Sequence, residues 1–327
     1  MRTTLLLVAA SLPVALGALA RAEPLLSNGS ANPASPALGA ASATQSGVPA
    51  PTASFWSEAP IAGLHADAVG GFASHAIGAD GAFRFADDFS VPAGGWTLQG
   101  VTVYAYQPGA AGPMSPFVGL TLRIWSGRPG DAGAAVVFGD DVTNRMGSSQ
   151  PTSIYRVFST TAQPLPQAPD TTRLVWATTA SLPSVYLSEG QYWLDWQYVC
   201  LDPNTPAYSP AVTVPGVRSV GNAVQLRQEA GRAHAGWYAV VDAGKPAEAA
   251  DLGKDLPFLL DGVPGVACEP DFNQDGNVDQ DDVGCLAQVV AGDPSCSAQD
   301  PDFNRDGNVD QDDLSALAQV IAGAPCP

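Results

Sequence analysis

The sequence predicts a mainly β protein: a two-sheet, jelly-roll-like sandwich over residues 55–265, then a small α domain of two loop–helix repeats over residues 266–327. Two observations carry that expectation. From residue 55 to 265, short runs of β-branched and aromatic residues alternate with Gly, Pro and Asp, the pattern of short strands joined by turns. Beyond it an acidic segment is written twice: DFNQDGNVDQDDVGCLAQVVAG (271–292) returns 31 positions later as DFNRDGNVDQDDLSALAQVIAG (302–323). Pro264-Gly265 and Pro270 bracket the change from β pattern to acidic repeat, so the tail is expected to be a separable unit.

At the N-terminus, Arg2, the apolar run Leu5–Leu16 and the small-x-small site Ala20-Arg21-Ala22 have the form of a secretory signal over residues 1–22. Pro13 and Gly17 interrupt the run, and no other stretch is apolar enough to span a bilayer, so the mature chain is expected to be secreted without a membrane span. Residues 23–54, rich in Ala, Ser, Pro, Gly and Thr, read as a disordered linker.

Ten strands are expected in the sandwich: 96–106, 120–125, 135–138, 153–158, 173–178, 191–199, 211–214, 223–227, 236–241 and 257–261. Side chains alternate across a sheet, so Leu120, Leu122 and Ile124 should face the core and Thr121, Arg123 and Trp125 face outward. In QYWLDWQYV, Tyr192, Leu194, Trp196 and Tyr198 form one face and Trp193, Asp195 and Gln197 the other, with Trp193 expected to be exposed. Trp125, Trp193 and Asp195 are thereby candidates for stacking and hydrogen bonding a sugar, although rim packing uses the same residue types.

Nothing firm marks a catalyst. His65, His75 and His234 are scattered, and neither G-x-S-x-G nor H-E-x-x-H occurs. Asp87, Asp88, Glu189, Asp195 and Glu229 are the carboxylates available for a glycosidase pair, and Asp87-Asp88 and Asp140-Asp141 read more simply as turn caps. The net charge of -18 and the absence of a basic stripe argue against nucleic acid.

The repeats carry the more specific chemistry. A calcium loop takes oxygen ligands at positions 1, 3, 5, 9 and 12, a carbonyl at 7 and a glycine at 6. The first copy offers Asp271, Asn273, Asp275, Gly276, the carbonyl of Asn277, Asp279 and Asp282. The second offers Asp302, Asn304, Asp306, Gly307, Asn308, Asp310 and Asp313, so two calcium ions are expected. Magnesium is disfavoured by its small octahedral shell. Pro270 and Pro301 stand before position 1 and exclude an entering helix. After each loop, Val283, Leu286, Ala287 and Val290, or Leu314, Leu317, Ala318 and Ile321, recur at helical spacing, and Gly292 and Gly323 end the helices. Neither stripe can bury itself, which predicts a packed pair. Four of the five cysteines, Cys268, Cys285, Cys296 and Cys326, lie here, while Cys200 stands alone. Of three connectivities, Cys285–Cys296 with Cys268–Cys326 is favoured, and a zinc site is the rival.

This duplicated loop–helix, with Asp at position 12, resembles the type I dockerin domain of secreted bacterial proteins, and is most similar to its cysteine-containing variety. The resemblance implies docking to a cohesin-like domain on a scaffold or cell-surface protein, and an association with polysaccharide catabolism. It places Gln280-Asp281 and Gln311-Asp312, at loop positions 10 and 11, on the partner face; many family members carry Ser-Thr there and basic residues along the helix, which this chain lacks. The β segment resembles a module found with anchoring tails in bacterial surface proteins. The expected function is a secreted, non-catalytic surface or matrix protein docked through calcium, the alternative a carbohydrate-binding module or a glycoside hydrolase or lyase component.

Overall fold

The computed structural model describes residues 22–59, 71–73, 76–77, 81–110, 112–161, 168–214, 221–229, 236–243, 248–265, 269–304 and 308–324. The protein is mainly β. Its strands run β1 Glu23–Ser27, β2 Ala40–Ala41, β3 Phe55–Glu58, β4 Phe72–Ala73, β5 Ala76–Ile77, β6 Gly81–Val91, β7 Trp96–Tyr106, β8 Phe117–Ser126 and β9 Ala135–Asp140. They continue with β10 Met146–Val157, β11 Leu174–Leu187, β12 Gly190–Cys200, β13 Tyr208–Ser209, β14 Val224–Glu229, β15 Gly236–Ala239, β16 Val241–Asp242, β17 Leu252–Gly253 and β18 Phe258–Pro264. Two helices follow, α1 Gln280–Val290 and α2 Gln311–Ile321.

The strands form two large sheets, one ordered β1-β18-β7-β11-β10-β3-β2 and the other β15-β14-β6-β12-β8-β9. Pairing is antiparallel except between β10 and β3. Inner faces from both sheets meet in one apolar core. Phe89 of β6 lies 6.2 Å from Phe258 of β18, which in turn lies 6.1 Å from Trp196 of β12. Leu120, Leu122 and Ile124 are all fully buried in that core, as alternation along β8 requires.

The expected strand over 96–106 is β7. The expected strand at 211–214 is not formed; Thr213 makes only an isolated bridge to Leu38. β6, GAFRFADDFSV, is not among the expected strands and pairs on both sides, with β12 and β14.

Residues 23–54 are not a disordered linker. β1 pairs with β18 at the sheet edge, and Asn28 Nδ2 donates to Asp87 Oδ2 at 2.7 Å. Leu38 is fully buried against Tyr104, Ile154 and Val175, on the face of the first sheet turned away from the core. Glu58 fastens the end of this segment, accepting from the Gln45 and Thr160 amides at 2.6 Å each. Gly39 has φ +60, and a Cβ there would come within 2.7 Å of Thr213, so glycine permits the close approach that seats Leu38. The segment is ordered because it covers an apolar sheet face, with one leucine and backbone pairing replacing a hydrophobic pattern.

Leu38→Ala should therefore lower the free energy of unfolding by about 2–5 kcal/mol, the range for a leucine truncated in a packed site. Urea denaturation followed by tryptophan fluorescence measures it; a loss within error of zero would mean that the segment does not seal the sheet.

Candidate functional site

In each repeat an aspartate at the helix start organises the loop before it. Asp279 caps α1 by accepting from Asp281 N at 2.9 Å, and Asp282 reaches back to the Asp279 amide at 2.8 Å, a reciprocal capping box. The other Asp282 oxygen accepts from Asn273 N at 3.0 Å, tying loop position 12 to position 3. The second repeat repeats this arrangement: Asp310 caps α2, and Asp313 accepts from Asp310 N at 2.8 Å and from Asn304 N at 3.0 Å. Asp282 and Asp313 are both fully buried.

Loop 1 curls over its own side chains. Asp271 accepts from the amides of Asp275 at 3.0 Å and Gly276 at 2.9 Å, Asn273 Oδ1 accepts from Asp275 N at 2.9 Å, and Asp275 Oδ1 accepts from Asn277 N at 2.8 Å. Gly276 has φ +92, the left-handed turn that a glycine at position 6 permits. Among the described residues, no three His, Cys, Asp or Glu side chains converge as a metal-holding group. The donor set itself is all oxygen and largely anionic, the chemistry calcium takes, and a carboxylate oxygen bound to one amide keeps a further lone pair. Asp302, Asn308 and Asp310 are described in loop 2; Asp306 and Gly307 lie outside the described residues.

The two helices pack through Leu286 and Leu317, with Phe272 at loop position 2 fully buried beside them. Val283, Val290, Leu314 and Ile321 line the same cluster, as their helical spacing predicts. Cys285 and Cys296 form a disulfide that joins α1 to the connector; Cys268 and Cys326 lie outside the described residues. The connector also donates to loop 1 through Gln299 Nε2, 3.0 Å from the Asp271 carbonyl. Gln280, Asp281, Gln311 and Asp312 are all exposed at the helix starts.

The face of the second sheet that pointed to a sugar has a different construction. Trp193 is 5 % exposed and packs with Ala86 and Val224, and Asp195 is fully buried, so neither is free to meet a ligand from solvent. Asp195 instead holds two arginines: Arg84 Nε donates at 2.7 Å to one oxygen, Arg123 Nη2 at 2.7 Å to the other. Trp125 Nε1 donates to the second oxygen at 3.1 Å, and Arg123 lies 5.0 Å over the Trp125 ring. Alternation correctly separated the faces of β12, but the outward one is covered by these polar side chains. Sequence reasoning missed Arg84 because its partners lie more than a hundred positions away or on β8.

The remaining carboxylates are structural where they are described. Asp140 caps its turn, accepting from Thr143 N at 2.5 Å and Val142 N at 3.0 Å, and those amides hold its carboxyl well below the usual range. Asp87 is not a turn cap: fully buried within β6, it accepts from Asn28 Nδ2 and Leu256 N at 2.7 Å each and from Asp88 N at 3.0 Å. Burial, with Asp255 nearby, pushes it well above the usual range. Asp88 accepts from Gln191 Nε2 at 2.5 Å. His65, His75 and His234 lie outside the described residues. Cys200 is a buried free thiol that burial pushes up to about 11.

Asp195→Ala leaves the buried Arg84 guanidinium and the partly buried one of Arg123 without their anion and should cost about 3–5 kcal/mol in urea unfolding; a change below about 1 kcal/mol would show the cluster to be dispensable. Cys200 gives a pH signature. Its folded value lies above the ordinary 9.0, so the unfolded thiol ionises first, and stability contributed by the neutral thiol is complete below about 9 and declines as pH rises towards about 11. Stability of Cys200→Ala against the parent across that window measures it, and equal slopes would remove the assignment. A scan against models of protein families, a search of curated proteins and a search of solved structures each returned no match.

Proposed function

We propose that this chain is a secreted, non-catalytic surface or matrix protein whose jelly-roll-like β-sandwich is carried by a dockerin-like, calcium-dependent tail. The observation that supports it best is the duplicated loop–helix, in which Asp282 and Asp313 take the same two backbone partners at the same distances. A chance acidic turn has no reason to reproduce that arrangement across 31 residues.

In this reading Asp271, Asn273, Asp275, the Asn277 carbonyl, Asp279 and Asp282 hold one calcium ion, and Asp302, Asn304, Asp306, the Asn308 carbonyl, Asp310 and Asp313 hold the other. Calcium supplies charge neutralisation to a tail in which thirteen acidic residues from Glu269 to Asp313 face a single base, Arg305. The partner is a cohesin-like domain or another surface scaffold that meets Gln280, Asp281, Gln311 and Asp312. Polysaccharide association belongs to this reading only through the company such tails keep, because the Trp193 and Asp195 pair that pointed to direct sugar contact is buried.

Calorimetry on the full chain should give two calcium ions per molecule, and Asp275→Ala and Asp306→Ala should each remove one. Zero stoichiometry rejects the metal. For docking, Asp281→Lys combined with Asp312→Lys should abolish calcium-dependent capture of the partner while both ions still bind, since position 11 is not a ligand. Capture that survives in the double variant rejects this docking face.

A further inference from the structure

Loop 1 is wound about one residue, Asp271. Its side chain accepts from the amides of Asp275 and Gly276, and its carbonyl accepts from Gln274 N at 3.2 Å. Those three donors lie within the loop. A fourth comes from outside it: Gln299 Nε2, 3.0 Å from the same carbonyl, reaches back from the connector after α1. Gln274 sits at φ +60, a left-handed backbone that costs a non-glycine residue energy, and the bonds that converge on Asp271 hold it there.

The connector's own hydrogen bonds are short-range. Asp293 N donates to Gln288 O at 2.9 Å, in the last turn of α1, Ser295 N to Asp293 Oδ1 at 3.1 Å, and Gln299 N to Ser297 Oγ at 3.1 Å. None of them fixes the connector against loop 1. The Cys285–Cys296 disulfide does: Cys285 is buried in the cluster between the helices, and Cys296, three positions before Gln299, packs on the same cluster. The two repeats differ at this point. α2 carries Ala316 where α1 carries Cys285, so no disulfide can leave α2 there, and Ala316 is half-buried where Cys285 is buried.

We propose that Gln299 is a positioning residue of calcium loop 1 and that the Cys285–Cys296 disulfide holds it in place, so that loop 1 reaches full calcium affinity only in the oxidised chain while loop 2 is indifferent to that bond. The inference rests on the calcium reading given above. A loop that must be ordered as the ion enters gives up part of its binding energy to that ordering, and a constraint already present restores it. With the disulfide closed, residues 296–299 have little freedom left to lose, and the Gln299 bond keeps Asp271, loop position 1, in its turn before the ion arrives. Closing the disulfide takes two protons and two electrons from the Cys285 and Cys296 thiols; an external disulfide accepts them and leaves as two thiols.

The test is calcium calorimetry on the full chain, with Asp306→Ala to read loop 1 alone and Asp275→Ala to read loop 2 alone. Cys285→Ala combined with Cys296→Ala, which gives α1 the alanine that α2 already has, should weaken calcium at loop 1 by about tenfold and leave loop 2 within about twofold. Gln299→Ala, with the disulfide intact, should weaken loop 1 by roughly fivefold, add little to the cysteine variant, and cover the case in which that variant fails to fold. Hydrogen exchange in EDTA gives a readout without metal: the cysteine variant should speed exchange of the Asp275 and Gly276 amides and leave that of Asn304 unchanged. Calcium bound at loop 1 with parental affinity in Gln299→Ala overturns the positioning role. Equal losses at both loops, or unchanged exchange at Asp275 and Gly276 in the cysteine variant, overturn the coupling to the disulfide. If no form of the chain binds calcium, the calcium reading itself fails and the proposal falls with it.

Discussion

Each large sheet has two faces to satisfy, and the contacts among Phe89, Trp196 and Phe258 cover only one face of each. That constraint accounts for most of what surrounds the core. The first sheet presents Tyr104, Ile154 and Val175 on its far side, and a strand buried on both faces needs a further layer. The N-terminal segment supplies that layer through Leu38 and is held by β1, Asn28 and Glu58. The second sheet is closed differently. Its far side is covered by its own long polar side chains, Arg84 and Arg123 folded onto Asp195, with Trp125 and Trp193 alongside. One sheet therefore has an apolar lid from elsewhere in the chain, and the other a polar lid of its own making.

The tail meets a harder version of the same problem, because two eleven-residue helices cannot enclose a core by themselves. Leu286 and Leu317 are fully buried in a cluster that also takes in Phe272 and Phe303 from the loops and Cys296 from the connector. The loops are therefore part of the packing, and the Cys285–Cys296 disulfide limits how far the connector between them can stray. The capping aspartates serve helix and loop together, so helix initiation and loop closure are one event in each repeat.

Strand periodicity and helix periodicity were legible in the sequence, and long-range polar pairing was not. β7 and both apolar helix stripes followed from spacing alone. β6 escaped because Arg84, Asp87 and Asp88 break its apolar run, and their partners, Asp195, Leu256 and Gln191, come from distant parts of the chain. Composition misread residues 23–54 for a related reason: low hydrophobicity describes what a segment can bury by itself, whereas this one borrows a surface already made by β7, β10 and β11. Trp193 was assigned to the correct face, but alternation says which way a side chain points and nothing about what lies over it.

The carboxylates show how far surroundings outweigh local bonding. Asp140 and Asp87 both accept hydrogen bonds from backbone amides, an arrangement that by itself favours the ionised form. Asp140 stands at the surface, where water already supports the charge, and its carboxyl is held low. Asp87 lies at the centre of the sheet with Asp255 nearby, so desolvation and like charge outweigh three donors and raise it. As pH falls, Asp87 therefore takes up its proton before Asp140. Since the protonated form is the one its surroundings favour, the bond from Asn28 that ties β1 to β6 stands in a site where acid relieves an electrostatic cost, while acid acting on Asp140 removes a stabilising charge from an exposed turn.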